Sequence, residues 1–207
     1  MAGLFITLEG TEGAGKSTQA RLLAERLRAA GRVVRELREP GGTAVGEAIR
    51  DLVKHRAGPG LTPEAELLLM NASRAQLVRE VIRPALAAGE VVVCDRFYDS
   101  TTAYQGHGRG LELALVRAVI DAAVGPTRPD LTLWLALRAK AAAARVVARG
   151  AGGDRFEAAG GEFFARVEAA YAAIAAAEPD RVVKVLAEGM VDEVAERVWA
   201  AVGRLLA

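Results

Sequence analysis

The clearest chemical signal in this chain is a lysine and a serine preceded by closely spaced glycines. Residues 10–17, Gly-Thr-Glu-Gly-Ala-Gly-Lys-Ser, fit the pattern G-x-x-x-x-G-K-[ST], in which backbone N–H groups converge on phosphate oxygens. Lys16 supplies a cation and the Ser17 hydroxyl can ligate Mg²⁺. The alternative is a glycine-rich turn that binds nothing. We predict a nucleoside-triphosphate site formed by Gly10, Thr11, Glu12, Gly13, Ala14, Gly15, Lys16, Ser17 and Thr18.

A carboxylate follows the apolar residues 91–94. If 91–94 is a strand of a parallel sheet, Asp95 comes to the carboxyl edge of that sheet, where ligands bind. There it could hold Mg²⁺ directly or through water, or fix Lys16 and Ser17. The alternative is that Asp95 or Asp99 caps the next helix. The predicted metal ligands are Ser17 and Asp95.

An arginine interrupts the apolar face of the helix predicted from residue 64 onward. Leu67, Met70, Arg74, Leu77 and Val81 share this face by their spacing. A buried guanidinium without partners is costly, so the side chain must reach solvent, pair with an internal acid, or face a cavity in which a ligand completes its hydrogen bonds.

The segment 96–109 is rich in polar groups that follow the strand ending at Asp95. They are Arg96, Thr101, Tyr104, Gln105, His107 and Arg109. Guanidinium and amide groups at this density suit recognition of a planar base and a second phosphate. His107 lies between two glycines, which predicts a loop rather than a catalytic base. Two histidines and one cysteine also make a zinc site unexpected.

Strand-like and helix-like stretches alternate along the chain and must position these groups. The predicted strands are residues 4–8, 33–37, 91–94, 131–137 and 182–186. The predicted helices are residues 16–30, 45–55, 64–88, 111–124, 139–149, 163–177 and 191–206, with Pro84 bending or restarting the third. This alternation predicts an α/β fold, a parallel sheet covered by helices on both faces.

Length and composition limit the function classes. With 207 residues, 52% of them hydrophobic, the chain can form one domain with a full core. A net charge of +1 argues against a partner that is a nucleic acid. The single Cys94 cannot form an internal disulfide, no apolar run approaches the ~20 residues that span a bilayer, and no leader pattern is evident. We expect a cytoplasmic protein that does not associate with membranes.

Four motifs, spread in order over nearly the whole chain, closely resemble those of bacterial thymidylate kinases of the P-loop nucleoside-monophosphate kinase superfamily. They are EGTEGAGKSTQ, REPGGT, DRFYDSTTAYQGHGRG and GGDRFE. The resemblance implies a P-loop NTPase fold with a five-stranded parallel sheet, in a single domain 1–207 with a short lid near 148–157. It also implies phosphoryl transfer from ATP to dTMP with Mg²⁺, and a homodimer.

The resemblance assigns roles at the reacting phosphates. It implies that Lys16 bridges the transferring phosphoryl oxygens, that Arg96 holds the acceptor phosphate, and that Glu12 lies near the deoxyribose 3′-hydroxyl. It further implies lid arginines, Arg149 and Arg155, that reach the transferring group. The alternative is a surface hairpin with solvated arginines.

The resemblance also assigns the monophosphate pocket. Its residues are Glu39, Pro40, Arg50, Met70, Arg74, Arg96, Thr101, Tyr104 and Gln105. In it, Arg74 bonds the thymine ring, Gln105 faces the base, Thr101 lies beside it and Tyr104 lies near the sugar. Met70 stands where the family commonly stacks a phenylalanine, and an adaptable thioether predicts a less sharp choice of base.

Two other functions stay open at this point. One is another nucleoside or nucleotide kinase, which shares the phosphate loop and an Asp-Arg pair after a strand. The other is a nucleotide-switched NTPase, although the N-K-x-D element of a GTPase is absent from the sequence.

Overall fold

The computed structural model describes residues 3–56, 60–148, 150 and 160–206. The strands in this part of the chain are β1 (Leu4–Glu9), β2 (Val34–Arg38), β3 (Val91–Asp95), β4 (Leu131–Ala136) and β5 (Val182–Leu186). They form one five-stranded sheet in the order β2-β3-β1-β4-β5, and every neighbouring pair is parallel. The predicted α/β fold with a five-stranded parallel sheet is confirmed.

Helices connect the strands. Their bounds are α1 (Lys16–Ala29), α2 (Ala44–Asp51), α3 (Pro63–Leu77), α4 (Arg83–Ala87), α5 (Tyr98–Thr101), α6 (Leu113–Val124), α7 (Ala139–Ala148), α8 (Gly161–Ala177) and α9 (Val191–Leu206). Wider π-helical turns extend α2, α3 and α5 over Leu52–Arg56, Val78–Ile82 and Thr102–Gly108. No helix within the described ranges is long and apolar enough to cross a membrane.

The predicted helix 64–88 is divided in the way that its proline suggests. A π-helical stretch, Val78–Ile82, follows α3, and Pro84 then lies in the first turn of α4. A proline removes one backbone donor and crowds the preceding turn. The change of hydrogen-bond register just before Pro84 accommodates both effects, so the helix restarts there.

The prediction of a loop around His107 is wrong. Residues 102–108 are helical, and the two glycines beside His107 serve packing instead. A Cβ at Gly106 would come within 2.8 Å of the Leu113 side chain, and one at Gly108 within 2.6 Å of the Phe163 ring. Small residues therefore let α6 and α8 approach this helical segment closely, an effect that local sequence reading cannot detect.

Apolar side chains cover both faces of the sheet. On one face Ile6 and Leu8 pack with Leu23 and Leu27 of α1, and on the other Phe5 packs with Phe97 at a centroid distance of 4.9 Å. Alternate residues of the same strand thus enter opposite cores, as the pleat of a strand requires. This packing places the strands between two apolar cores.

Register brings the polar ends of three strands to one edge. Leu8 of β1 and Arg38 of β2 both pair with Asp95 of β3, so the residues that follow them lie side by side. The glycine loop begins at Gly10 and the predicted monophosphate pocket at Glu39. The carboxyl edge of the sheet is therefore where the predicted groups converge.

Candidate active site

The phosphate loop runs from the end of β1 to the start of α1. Gly10 and Gly13 have φ angles of 137° and 79°, in the left-handed region that favours glycine. A Cβ at either position would also come within 2.6 Å of a carbonyl oxygen, that of Leu135 or Ala142. Gly15 caps α1 without a side-chain hydrogen bond. The first N–H groups of α1 are therefore available to an anion.

Lys16 is the cation of this loop. Its side chain is buried, and Nζ donates a hydrogen bond to the Thr11 carbonyl oxygen at 2.8 Å. Burial and the nearby Arg96 guanidinium lower the pKa of Lys16 to about 8, although Asp95 and Glu12 oppose the shift. An incoming triphosphate would supply the negative charge that this site lacks.

Asp95 and Ser17 lie in contact at the edge of the sheet. Ser17 Oγ donates to Asp95 Oδ2 at 2.5 Å, and the buried Oδ1 has no partner in the described part of the chain. The capping alternative does not apply: Phe97 is the N-cap of α5, without a side-chain bond, and Asp99 pairs with Arg181. An orphan carboxylate oxygen beside a hydroxyl is a donor set that Mg²⁺ accepts when phosphates and water complete its shell.

Arg96 connects the phosphate loop to the helical segment that follows β3. Its backbone φ is 73°, which is unusual for a residue other than glycine. Nη1 donates to the Gly10 carbonyl oxygen at 3.1 Å and to Ser100 Oγ at 2.9 Å. Nη2 donates to Glu12 Oε1 at 2.8 Å and to the Tyr104 hydroxyl at 3.1 Å. Four donors of one guanidinium are thus used to orient it.

The charge of Arg96 is secured by its surroundings. Burial lowers the pKa of Arg96, but the Tyr104 and Glu12 groups outweigh it, so the pKa lies well above its ordinary value. The Tyr104 ring also faces the guanidinium, with Cζ 4.9 Å from the ring centroid. Arg96 is therefore a permanent, fixed cation in the site.

The sequence did not predict Glu9, the buried carboxylate that holds the partners of Arg96 in place. Glu9, the last residue of β1, is fully buried and accepts hydrogen bonds from the Phe97 N–H, Ser100 Oγ and the Tyr171 hydroxyl at 2.7, 2.5 and 2.9 Å. Burial, reinforced by the Asp99 carboxylate, raises the pKa of Glu9. A glutamate at the end of an apolar strand was the available signal; Tyr171, distant in α8, offered none.

Arg74 pairs with an internal acid and also lines the cavity. Nε and Nη2 both reach Glu39 Oε2, at 2.7 and 2.6 Å. Nη1 donates to Asn71 Oδ1 and Thr101 Oγ1, each at 2.8 Å, and Nη2 donates to the Phe97 carbonyl oxygen. All five donors of the guanidinium are therefore used within the protein. A base that bonds to Arg74 must share or replace one of these contacts.

Glu39 is the buried acid that Arg74 meets. Burial raises the pKa of Glu39 to about 7, with a further contribution from Glu9, although Arg74 opposes the shift. Its second oxygen, Oε1, is buried without a partner in the described part of the chain. The Glu39 carboxyl is thus a poorly solvated group at the cavity wall.

One cavity of about 510 Å³ extends from the phosphate loop to the Glu39–Arg74 pair. It brings together most of the predicted residues, namely Glu12, Gly13, Gly15, Lys16, Ser17, Thr18, Glu39, Pro40, Arg50, Met70, Arg74, Asp95, Arg96, Thr101, Tyr104 and Gln105. Gly10, Thr11 and Ala14 belong to the loop but do not line the cavity. Arg149 and Arg155 lie outside the described residues, as does most of the predicted lid.

Four further residues line the cavity without having been predicted, namely Arg38, Lys54, Ser100 and Arg145. Three of them are basic. Counted over the described residues, seven cationic side chains and three carboxylates face this space. A positive surplus within one cleft attracts polyanionic ligands. Within the described chain no cluster of three histidine, cysteine, aspartate or glutamate side chains could hold a metal ion by itself.

A phosphate loop on the central strand of a parallel sheet, open to a cationic cleft, defines a P-loop nucleotide phosphotransferase. The family model described as thymidylate kinase matches residues 8–198 of the chain. The chain belongs to the thymidylate kinase family.

Individual relatives agree with this assignment. The chain is 53% identical to the thymidylate kinase of Synechococcus sp. (strain JA-3-3Ab), over 99% of this chain and 98% of the relative. It is 49% identical to that of Deinococcus radiodurans, over 97% and 96% of the two chains. The crystal structure of the Ehrlichia chaffeensis thymidylate kinase superposes with a TM-score of 0.80 at 31% identity, covering 98% of this chain and 99% of that one. The resemblance stated from the four motifs is confirmed.

Proposed function

We propose that this chain transfers the γ-phosphoryl group of ATP to dTMP, forming dTDP and ADP. The observation that carries the proposal is the position of Arg96. Its guanidinium contacts the phosphate loop at Gly10 and Glu12 and the acceptor segment at Ser100 and Tyr104, within one cavity. A fixed cation at this junction suits two phosphate-bearing substrates that meet end to end.

The reaction needs no acid or base from the protein. A phosphate oxygen of dTMP attacks the γ-phosphorus, and the bond from that phosphorus to the bridging oxygen of ADP breaks. Catalysis of phosphoryl transfer rests on positioning and on neutralising charge. Lys16 and the loop N–H groups hold the donor phosphates, and Arg96 holds the acceptor phosphate.

Mg²⁺ is the proposed cofactor, with Ser17 and Asp95 as the residues that would hold it. The orphan Asp95 Oδ1 beside Ser17 Oγ supports this assignment. When bound, the ion neutralises charge on the donor phosphate oxygens. Arg149 and Arg155 are proposed to complete the neutralisation from the lid, whose closure would exclude water from the γ-phosphate.

The other end of the cavity is proposed to bind the nucleoside of dTMP. Thr101, Tyr104 and Gln105 lie there on one helical stretch, opposite the sequence-distant Met70 and Arg74 of α3. Glu39, Pro40 and Arg50 are proposed to line the monophosphate side. Arg50 Nη1 donates to the Pro40 carbonyl oxygen at 2.9 Å, which joins α2 to this wall.

The test is ADP release measured with ATP and a panel of monophosphates: dTMP, dUMP, dCMP and AMP. We expect release that depends on the monophosphate and is fastest with dTMP. A stronger preference for dCMP or AMP would overturn the choice of substrate. ATP hydrolysis that is independent of any monophosphate would overturn the kinase and favour a nucleotide-switched protein.

We further propose that the chain is a single-domain, cytoplasmic homodimer that does not bind nucleic acid. The family match over residues 8–198 supports one domain. α3 packs against α2 and α6, and these helices carry the exposed apolar residues Val45, Leu68 and Leu115, which supports an interface there. Sedimentation at micromolar concentration tests the dimer, and a fluorescent oligonucleotide in low salt tests the absence of nucleic-acid binding.

A further inference from the structure

The amide of Gln105 is held in one orientation. Gln105 is buried in the helical segment Thr102–Gly108 and lines the cavity. Its Nε2 donates to Glu66 Oε1 at 2.7 Å. Among the described residues none donates to the other end of the amide, Oε1.

Glu66 accepts this bond as part of an ion pair. It lies on α3 with no exposed surface, and Arg109 Nη2 and Nε reach its two oxygens at 3.1 and 3.3 Å. A carboxylate only accepts hydrogen bonds, so it can face the NH₂ end of Gln105 and not the carbonyl end. The carbonyl oxygen of Gln105 is therefore the group available to a ligand in the cavity.

Thr101, one helical turn before Gln105, offers a hydrogen-bond donor. Its Oγ1 accepts a bond from Arg74 Nη1 at 2.8 Å, which leaves the hydroxyl hydrogen free to be donated. Residues four apart on a helical segment lie on the same face, and both Thr101 and Gln105 line the cavity. The protein thus offers a donor beside an acceptor.

We propose that Glu66 is a specificity-determining positioning residue that makes the site select pyrimidines carrying a hydrogen on N3. This inference rests on the proposed function and explains how the site would select the base of its acceptor nucleotide. Thymine and uracil donate through N3–H, whereas N3 of cytosine only accepts. To bond cytosine, Gln105 would have to turn its carbonyl oxygen toward the Glu66 carboxylate, where two acceptors would face each other in a buried place.

Met70 makes selection of the base depend more strongly on these hydrogen bonds. A flexible thioether lines the cavity where an aromatic ring would read the shape of the base more sharply. Shape contacts of this kind distinguish ligands weakly, whereas a site built around fixed hydrogen bonds rejects a mismatched partner strongly. Selection in this chain therefore depends on the edge of the base.

The test compares dTMP with 5-methyl-dCMP, which has the same size and methyl group and differs only at the bonding edge. For the wild type we expect a large ratio of kcat/KM in favour of dTMP. In Glu66→Gln the new amide can donate or accept, so Gln105 can turn, and the ratio should fall about 10- to 100-fold, mainly through KM. A ratio within twofold of the wild type in this variant would overturn the proposal.

Asp99→Asn is the matched control. Asp99 is another buried carboxylate, held by Arg181 at 2.7 and 2.9 Å, and it does not line the cavity. Both variants should lower Tm, but only Glu66→Gln should lower the dTMP to 5-methyl-dCMP ratio. An equal fall in both would mean that general loosening changes the ratio, and would overturn the proposal.

If Glu66→Gln does not fold, Gln105→Leu provides a second measurement, because it leaves the Glu66–Arg109 pair in place and removes the presented oxygen. The ratio should fall in this variant too, and an unchanged ratio would refute the inference. A wild type that uses both nucleotides equally overturns this inference but leaves a monophosphate kinase standing. A wild type inactive on both overturns the proposed function and this inference with it.

Discussion

The two ends of the cavity are built in different ways. The proposed donor end is a single stretch of chain, residues 10–18, which offers backbone N–H groups and one lysine to the phosphates of ATP. The proposed acceptor end is assembled from the carboxyl end of β2, α3 and the helical segment after β3, through buried hydrogen bonds such as Arg74 to Glu39 and Gln105 to Glu66. Local backbone geometry forms one end, and interlocked side chains form the other.

The difference teaches where function and stability coincide. Within the described ranges Lys16 makes a single side-chain hydrogen bond, so the donor end can lose this lysine at little cost to the fold. Arg74 uses all its donors within the protein, so the acceptor end cannot lose it without leaving buried groups unpaired. Substitutions at the two ends should therefore separate into effects on kcat alone and joint effects on stability and dTMP binding.

The largest expected effect comes from Arg74→Met. It leaves Glu39 buried and without its cation, which should lower the free energy of unfolding by about 3–5 kcal/mol and raise KM for dTMP. Urea unfolding at pH 8 and steady-state kinetics measure both quantities. Arg181→Met is the control, because Arg181 pairs with the buried Asp99 outside the cavity. The Arg181→Met variant should lose stability with no change in KM for dTMP. An unchanged KM in Arg74→Met would contradict the proposed difference between the two ends of the cavity.

Lys16→Met tests the donor end. Removing the cation that we propose acts on the transferring phosphoryl group should lower kcat by about 10²–10³-fold. The free energy of unfolding should change by less than about 1 kcal/mol, because the loss of one partly buried hydrogen bond is offset by the removal of a costly buried charge. Single-turnover kinetics and urea unfolding give the two values. A large loss of stability would show that the two ends are not built differently.

The Glu39 carboxyl makes stability depend on pH. Its pKa is about 7 in the folded protein against an ordinary 4.5, so between these values the folded state keeps a proton that the unfolded state has released. Stability from this group is therefore lost as the pH rises from about 4.5 to 7, by about 1–3 kcal/mol. The difference in free energy of unfolding between wild type and Glu39→Gln measures it. A difference that does not change over this range would contradict the assignment.

The smallest expected effect belongs to Tyr171→Phe. The substitution keeps the ring that stacks on Trp134. It removes the hydroxyl that donates a hydrogen bond to Glu9 and lies 3.0 Å from Ser100 Oγ. Looser support of Arg96 should raise KM for dTMP about 3- to 10-fold, or about 1 kcal/mol, with a smaller change in kcat. Tyr98→Phe is the control, because Tyr98 is a buried tyrosine that does not line the cavity, and its KM for dTMP should not change. Equal shifts in both variants would argue for a general structural effect.

Most of the fold was predictable because its signals are local. Apolar runs followed by helical spacing identify the five strands and most of the helices, and the bounds of β5 agree with the prediction at both ends. The helical segment around His107 was not predictable. Its glycines lie against Leu113 and Phe163, and such contacts have no trace in the neighbouring sequence.

The sequence predicted many of the residues that line the cavity, but it did not predict the groups that connect them. Arg74, Arg96 and Gln105 all line the cavity, as the motifs indicate. Glu9, Glu66 and Tyr171, which hold them in place, were missed. In the sequence, Glu66 looks like a surface carboxylate, because its partners Gln105 and Arg109 lie outside its own helix.

The sequence by itself determined the phosphate loop, the order of strands and helices, and the family, because these depend on residues that are near one another in the chain. Only the tertiary structure decided which donors and acceptors remain for a ligand. That outcome depends on how buried carboxylates such as Glu39 and Glu66 use the hydrogen bonds of Arg74 and Gln105. Hydrogen-bonding capacity in a buried site is shared among distant residues, so what is left for the substrate is a property of the assembled fold.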